Sequence, residues 1–303
     1  MKFGVSQAVT RKEDDAFIRG NGRYVADLVP PDACRAVLLR SPHAHARVNR
    51  IDAAAARAMP GVRLVLTAAD TTDLGPLPCF GIPPGVTVEA RESPILAGDI
   101  VRHVGDAVAF IVADTLDQAR DATEAIEVDW ESLPHIVDAV AALEPGAPRV
   151  WTDRADNLAF EQMLGDEAST AAAFAQAAQT VALTLVNQRL VTNYLDTRAV
   201  LAEYDAASES ITLTLGSQGS HTLKKVLAKA ILRMPADRLH VVTPDVGGGF
   251  GTKIFPYREY ALCAVAARQL GRPVAWVADR MEHFVADTQG RDNVTTAKLA
   301  LDD

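Results

Sequence analysis

The stretch 245-DVGGGFGTK-253 places four glycines, Gly247, Gly248, Gly249 and Gly251, within five positions and interrupts them only with Phe250. Glycine at that density asks what approaches the backbone so closely that side chains are excluded. A phosphate-binding P-loop needs glycine immediately before its lysine and serine or threonine after it. Thr252 precedes Lys253 and Ile254 follows, so that pattern fails twice. A dinucleotide fingerprint starting at Gly247 requires glycine at position 252 and also fails. A plain flexible turn and a close-approach cradle remain. In a cradle, converging peptide N–H groups favour an anionic or oxo-bearing ligand. Phe250 would then wall the pocket, and the dipole of the following helix would add to the attraction.

The flanks set the loop between regular elements. "RLHVVTP" (238–244) reads as a strand leading in, and "PYREYALCAVAARQLG" (256–271) as a helix leading out. Upstream, "GRYVADL" and "CRAVLLRSPHAHARVNRI" read as strands parted by a turn at Pro30–Pro31, and "DAAAARAM" as a short helix. "VRLVLTAAD" reads as a buried strand, and residues 71–98, rich in Pro and Gly, as a long irregular loop. "DAVAFIVAD", "TLDQARDATEAI" and "EVDWESL" follow as strand, helix and strand, a βαβ-like module. Residues 141–157 read as a linker between an N-terminal domain (1–140) and a second domain (158–303). That second domain opens with an alanine-rich helix, "ASTAAAFAQAAQ". Strands "TVALTLVNQRL", "AVLAEYD" and "SITLTLGSQ" come next, then the helix "HTLKKVLAKAIL". The strand "RPVAWVAD" follows the glycine loop and its helix, and "DNVTTAKLALDD" alternates like an edge strand.

Composition narrows the function classes. Hydrophobic residues at 49% against 23% charged describe a folded globular chain. A formal charge of −9 argues against nucleic acid as the main partner, because no domain-wide basic face is available to neutralise phosphates. Cys34, Cys79 and Cys263 are far apart and form no metal or disulfide spacing, which points to free thiols in a reducing cytoplasm. No window approaches a membrane span.

Several of these segments, in one order, carry a family resemblance. "VVTPDVGGGFGTK" closely resembles the cofactor loop of the molybdenum hydroxylases, the group of xanthine oxidase, aldehyde oxidase and aerobic carbon monoxide dehydrogenase. "RGNGRYVADL", "RSPHAHARV", "AMPGVRLVLTAAD", "VGDAVAFIVAD" and "EVDWESLPHIVD" resemble the α/β hammerhead domain of their large subunits. "NQRL", "LAEYD", "GSQGSH" and "DRMEHFVADTQGRD" resemble the first half of the molybdopterin-binding region. The resemblance implies an α+β chain: a hammerhead domain followed by an incomplete molybdopterin-binding α/β region. It implies molybdopterin as cofactor, with the cytosine dinucleotide form among the options. The implied reaction is oxidation of a carbonyl, N-heterocyclic or CO-type small molecule, with water as the oxygen source. Electrons would leave through 2Fe–2S clusters and FAD on a small and a medium partner subunit.

The same resemblance assigns residues. Gly247, Gly248, Gly249, Phe250 and Gly251 would lie against the metal centre, and Gln218 matches the glutamine whose amide hydrogen-bonds a metal-bound oxygen. An amide suits that task because it donates without titrating. Gln218 and Phe250 are the catalytic candidates; the molybdenum would be held by the pterin, not by side chains. Read alone, Gln218 is foremost a strand-end residue satisfying its own loop, and only the surrounding motifs favour the cofactor role. His43 and His45 could share a strand face for a metal, but the resemblance makes them structural; His283 also reads as structural. His221 either lines the pocket or starts a helix, Lys253 either holds the loop or is solvated, and Asp245 either braces the loop or caps a turn.

Two departures stand out. Asp196 and Thr197 replace the family's Glu-Pro pair before Arg198, shortening a carboxylate by one methylene. The family's general-base glutamate lies in the second half of the molybdopterin region, past residue 303, so turnover is expected to need a completing C-terminal half. A non-catalytic cofactor-binding or assembly module is the alternative these departures suggest.

Overall fold

A computed structural model describes residues 8–79, 84–86, 91 and 93–302. The short α1 (Asp14–Ile18) and a 3-10 turn at Val25–Leu28 lead into β1 (Cys34–Arg40) and β2 (Ala46–Asp52). Then come α2 (Ala54–Ala58), β3 (Val62–Thr67), β4 (Ile100–Val101), β5 (Ala107–Ala113), α3 (Leu116–Glu124) and β6 (Glu127–Ser132). The remainder holds α4 (Glu167–Gln176), β7 (Gln179–Asn187), β8 (Ala199–Asp205) and β9 (Ser210–Leu215). α5 (Ser220–Val226) runs on as a π turn to Ile231, and β10 (Leu239–Val242), α6 (Arg258–Leu270), β11 (Val274–Val277), α7 (Arg280–Ala286) and β12 (Asn293–Leu301) complete the chain.

A seven-stranded mixed sheet, ordered β10-β9-β8-β11-β1-β5-β3, forms the framework. β1 lies parallel to β11 and antiparallel to β5, so one sheet runs through both expected domains. Its strand β5, AVAFIVA, next to the edge strand β3, is buried at every residue, as expected for a strand covered on both faces. Ala119 and Ala122 of α3 pack with Ala109, Ile111 and Ala113 on one side. On the other, Phe110 and Val112 join the large core that includes α6 and Trp276. Alanines at 261, 264, 266 and 267 bring the α6 backbone close to the sheet, and Gly271 ends that helix in the left-handed conformation at φ 60°.

The strand–helix–strand reading of 106–133 holds for the elements but not for their assembly. β5 belongs to the large sheet, whereas β6 pairs antiparallel with β2 in a separate β4-β2-β6 sheet. β6 reads EVDWES, and only Val128 and Trp130 are even half-buried, so it cannot serve inside a doubly covered sheet. "GRYVADL" likewise forms the 3-10 turn, not a strand. The Asp27 carboxylate accepts from the Tyr24 N–H at 3.0 Å and folds the segment back on itself. Within residues 71–98, positions 80–83, 87–90 and 92 lie outside the described residues. The described part carries an isolated bridge between Leu77 and Ser93.

β7 and β12 form a separate two-stranded antiparallel ribbon with nine registered pairs. At its base Leu190 and Gly290 form a bridge, and Arg189 is ion-paired with Asp292.

Candidate functional site

Sheet topology explains why distant residues meet at the glycine loop. β9 and β10 are parallel neighbours, so Gln218 and the 245–253 loop both emerge from carboxyl ends at the same edge. β8 runs antiparallel to β9, and β11 antiparallel to β8. The segments before β8 (192–198) and after β11 (278–288) therefore reach that edge too. The ends of adjacent parallel strands are where open α/β sheets place ligands.

Two of the four glycines are required by the chain's own packing, and a third is crowded by a side-chain tip. A Cβ on Gly247 would lie 2.3 Å from Asp196 Cβ, one on Gly248 2.8 Å from Tyr194 Cβ, and one on Gly249 2.6 Å from Gln218 Oε1. Gly251 has open space instead, but its φ of +94° is one that L-residues rarely adopt. Phe250 itself sits at φ 45° and is 73% exposed, an unusual state for a large aromatic. The close approach expected of a ligand is thus made in part by Asp196, Tyr194 and Gln218.

Gln218 is tied into the loop at two points. Its backbone N–H donates to the Lys253 carbonyl at 3.1 Å, and its Oε1 accepts from the Gly251 N–H at 2.9 Å. Nε2 is left as a donor with no acceptor among the described residues. The peptide N–H groups of Gly248, Gly249 and Phe250 likewise donate to no described residue. The Gly248 N–H and Phe250 N–H come from residues of positive φ flanking one of negative φ, the alternation that builds anion-binding nests.

Lys253 anchors the loop from beneath. Fully buried, it donates from Nζ to the Asp196 carbonyl at 2.6 Å and to Asp196 Oδ2 at 2.8 Å, and lies 4.6 Å from the Tyr194 ring centre. Burial lowers its pKa, and the hydrogen bond it donates to Asp196 opposes that shift. The same Oδ2 accepts from the Gly247 N–H at 3.0 Å. The shorter carboxylate at position 196 is therefore engaged at both ends of the loop. Thr252 adds a hydroxyl contact to Thr192, and Asp245 braces the loop by accepting from the Arg23 N–H at 2.8 Å.

Behind this clamp lies a buried ionic network. Tyr194 donates its hydroxyl to Asp287, whose other carboxylate oxygen accepts from Arg198 Nε at 2.6 Å. Arg198, fully buried and 3.5 Å from the Tyr257 ring centre, also pairs with Glu259 at 3.0 Å. Arg40 then bridges Glu259 and Glu282, each at 2.7 Å. Burial would raise Glu259, but Arg198 and Arg40 outweigh it and hold its carboxyl at about 2.

The other candidates separate clearly. His45 Nδ1 lies 2.7 Å from the Pro134 carbonyl and His43 tilts against Trp130, both within the hammerhead part. No cluster of potential metal ligands occurs among the described residues. His283 is buried against Tyr194, with Nδ1 2.9 Å from Asp287 Oδ2 but outside hydrogen-bonding alignment. His221 lies exposed in the first turn of α5. Tyr194, Asp196 and Asp287 complete the arrangement, and no local pattern around them announces it. A cavity of about 850 Å³ between the hammerhead part and α7, lined by Arg40, Arg258, Glu259 and Asp287 among others, includes neither Gln218 nor the loop. Gln218, Phe250 and Gly251 instead face open surface.

Comparisons with known proteins agree with this architecture. Residues 150–303 match the molybdopterin cofactor-binding domain, and residues 19–134 match the α/β hammerhead domain of aldehyde oxidase and xanthine dehydrogenase. The chain belongs to the molybdenum hydroxylase family and carries the hammerhead and molybdopterin-binding parts of its large subunit. The carbon monoxide dehydrogenase large chain of Hydrogenophaga pseudoflava is 35% identical, over 98% of this chain and 38% of its own length. The nicotine 6-hydroxylase large subunit of Paenarthrobacter nicotinovorans is 33% identical, over 98% and 36%. Among solved structures, quinoline 2-oxidoreductase from Pseudomonas putida 86 superposes with a TM-score of 0.88 at 34% identity, covering 100% of this chain and 38% of that one. The chain thus spans just over a third of the length of these relatives. No described helix is long and apolar enough to cross a membrane.

Proposed function

We propose that this chain supplies one wall of the active site of a molybdenum hydroxylase that oxidises a small carbonyl, N-heterocyclic or CO-type substrate with water as oxygen source. The observation that carries the reading is the seating of Gln218 on the glycine loop, which leaves the Gln218 Nε2 and the amides of Gly248 and Phe250 as uncharged donors beside an open surface, with the unpaired Gly249 amide buried next to them. Such donors fit an anionic, oxo-bearing molybdopterin cofactor, in the cytosine dinucleotide form or another. When bound, that cofactor supplies oxygen transfer to substrate and takes up the electron pair.

The chain's own residues orient and hold. Gln218 would present Nε2 to an oxygen of the bound group, and because the amide does not titrate, the donor persists across working pH. Preorganised donors of this kind stabilise developing charge without reorganising during reaction. Asp196 and Lys253 fix where those donors point, and Phe250 forms a wall beside them. The general base would come from a completing C-terminal half, in the same polypeptide or another, and this chain alone would not turn over. Iron–sulfur and flavin subunits would carry electrons away. The relatives' names, which span carbon monoxide, nicotine and quinoline, leave the substrate class broad. Asp196 holds the loop despite its shorter side chain, so it lends no weight to the non-catalytic alternative.

The test is metal and pterin analysis of the complex purified from the source organism through a tag on this chain. Molybdenum and pterin in stoichiometric amounts, with Gln218→Ala retaining pterin but losing turnover, is the expected result. A metal-free, pterin-free complex would overturn the reading.

A further inference from the structure

The β7–β12 ribbon is amphipathic, and its apolar face is uncovered. Register places Val181, Leu183 and Leu185 of β7 on one face with Leu299 and Leu301 of β12, while Thr180, Thr184, Thr296 and Lys298 occupy the other, with the Val186–Val294 pair at one end. Val181, Leu183, Leu185, Leu299 and Leu301 are 56%, 57%, 52%, 58% and 40% exposed. None of the residues on that face carries a charge. A contiguous apolar patch of this kind marks an interaction site, since ordinary surface scatters such residues singly. A two-stranded ribbon roughly 30 Å long is also marginal by itself, because half of its hydrogen-bonding edges are unpaired and no core lies beneath it.

We infer that this face is the seat of the rest of the molybdopterin-binding large subunit, which packs on Leu183 and Leu299 and pairs strands with the ribbon's open edges. The inference rests on the functional reading above and adds the surface on which the completing part docks. Three observations select that occupant. The ribbon lies wholly inside the segment matching the molybdopterin-binding domain. The relatives are nearly three times as long as the matched segment, so each carries ample further chain to cover it. The Leu190–Gly290 bridge and the Arg189–Asp292 pair close the ribbon's base, and the chain runs from Leu190 directly into residues 192–198, which contact the glycine loop through Thr192 and Asp196. Two consecutive left-handed residues, Arg291 at φ 69° and Asp292 at φ 65°, set the turn there. A body seated on the apolar face is thereby held in register with the Gln218 site.

The test uses the assembled enzyme from the source organism, with a photo-crosslinking benzoylphenylalanine in place of Leu183 on the apolar face or of Lys298 on the polar face. Crosslinks from position 183, and not from 298, to molybdopterin-binding sequence outside these 303 residues are expected. Leu183→Lys combined with Leu299→Lys should cut recovery of assembled enzyme about tenfold or more, whereas Thr184→Lys should not. Crosslinks to a second copy of the ribbon, to an iron–sulfur or flavin subunit, or to nothing would overturn the inference. Molybdenum and pterin content of the same preparations reports separately on the functional reading, so the two can fail independently.

Discussion

Lys253 places its buried ammonium 2.8 Å from the carboxylate of Asp196, which also holds the Gly247 N–H. The two partners differ in exposure, 0% for the lysine side chain and 17% for the aspartate. Loss of either partner is therefore unequal. Asp196→Ala leaves a fully buried cation with one carbonyl for company and should cost about 3–5 kcal/mol. Lys253→Met leaves a carboxylate that water can reach and should cost less. Urea denaturation of the two variants checks the order; equal or reversed losses would contradict it.

The glycines divide by mechanism. Gly249→Ala puts a methyl against the Gln218 side chain, which can swing aside, so the fold should survive while pterin retention falls. Gly251→Ala meets no atom but must occupy φ +94°, with a cost of about 1–3 kcal/mol. Melting temperature and pterin content, measured together, should respond in opposite proportion in the two variants.

Phe250 is a site where stability and function should part. Glycine at 250 relieves the left-handed strain and sacrifices little burial, so Phe250→Gly should stabilise the apo chain by up to about 1 kcal/mol. Turnover by the assembled enzyme should fall nevertheless, because the wall beside Gln218 is gone. A destabilised Phe250→Gly would show that the ring packs more tightly than its 73% exposure indicates.

Acid should act in two stages. His283 is shifted downward chiefly by burial, so below its ordinary 6.5 the unfolded chain takes up a proton that the folded chain resists. Glu259, held at about 2 against an ordinary 4.5, contributes stability that is complete above pH 4.5 and is lost as pH falls toward 2. Urea midpoints followed from pH 8 to 3 should decline gently below 6.5 and steeply below 4.5. A flat profile across that range would exclude both groups.

Much of the fold was legible because its signals are local. The loop residues Gly247 to Gly251, the all-apolar β5 and the Gly271 stop of α6 each declare themselves within a few positions. Gln218 was placed by resemblance, and the geometry sets it on the loop. Other contacts could not be read in this way. Asp196 meets Gly247 across 51 residues, and only the antiparallel run of β8 beside β9 brings them together. The expected reason for the glycines, a guest at the backbone, hid the nearer one: Tyr194 and Asp196 already lie against it. β6 was misassembled because strand order along the chain does not say which sheet a half-buried strand joins. α7 went unread because its seven residues, RMEHFVA, bury only His283 and so lack a full apolar stripe.

β1 sits between β11 and β5, so the hammerhead and cofactor-binding parts share one continuous hydrogen-bonded ladder and one core. A clamshell motion between them would have to tear that ladder. The floor beneath Gln218 therefore moves with both parts as a single piece.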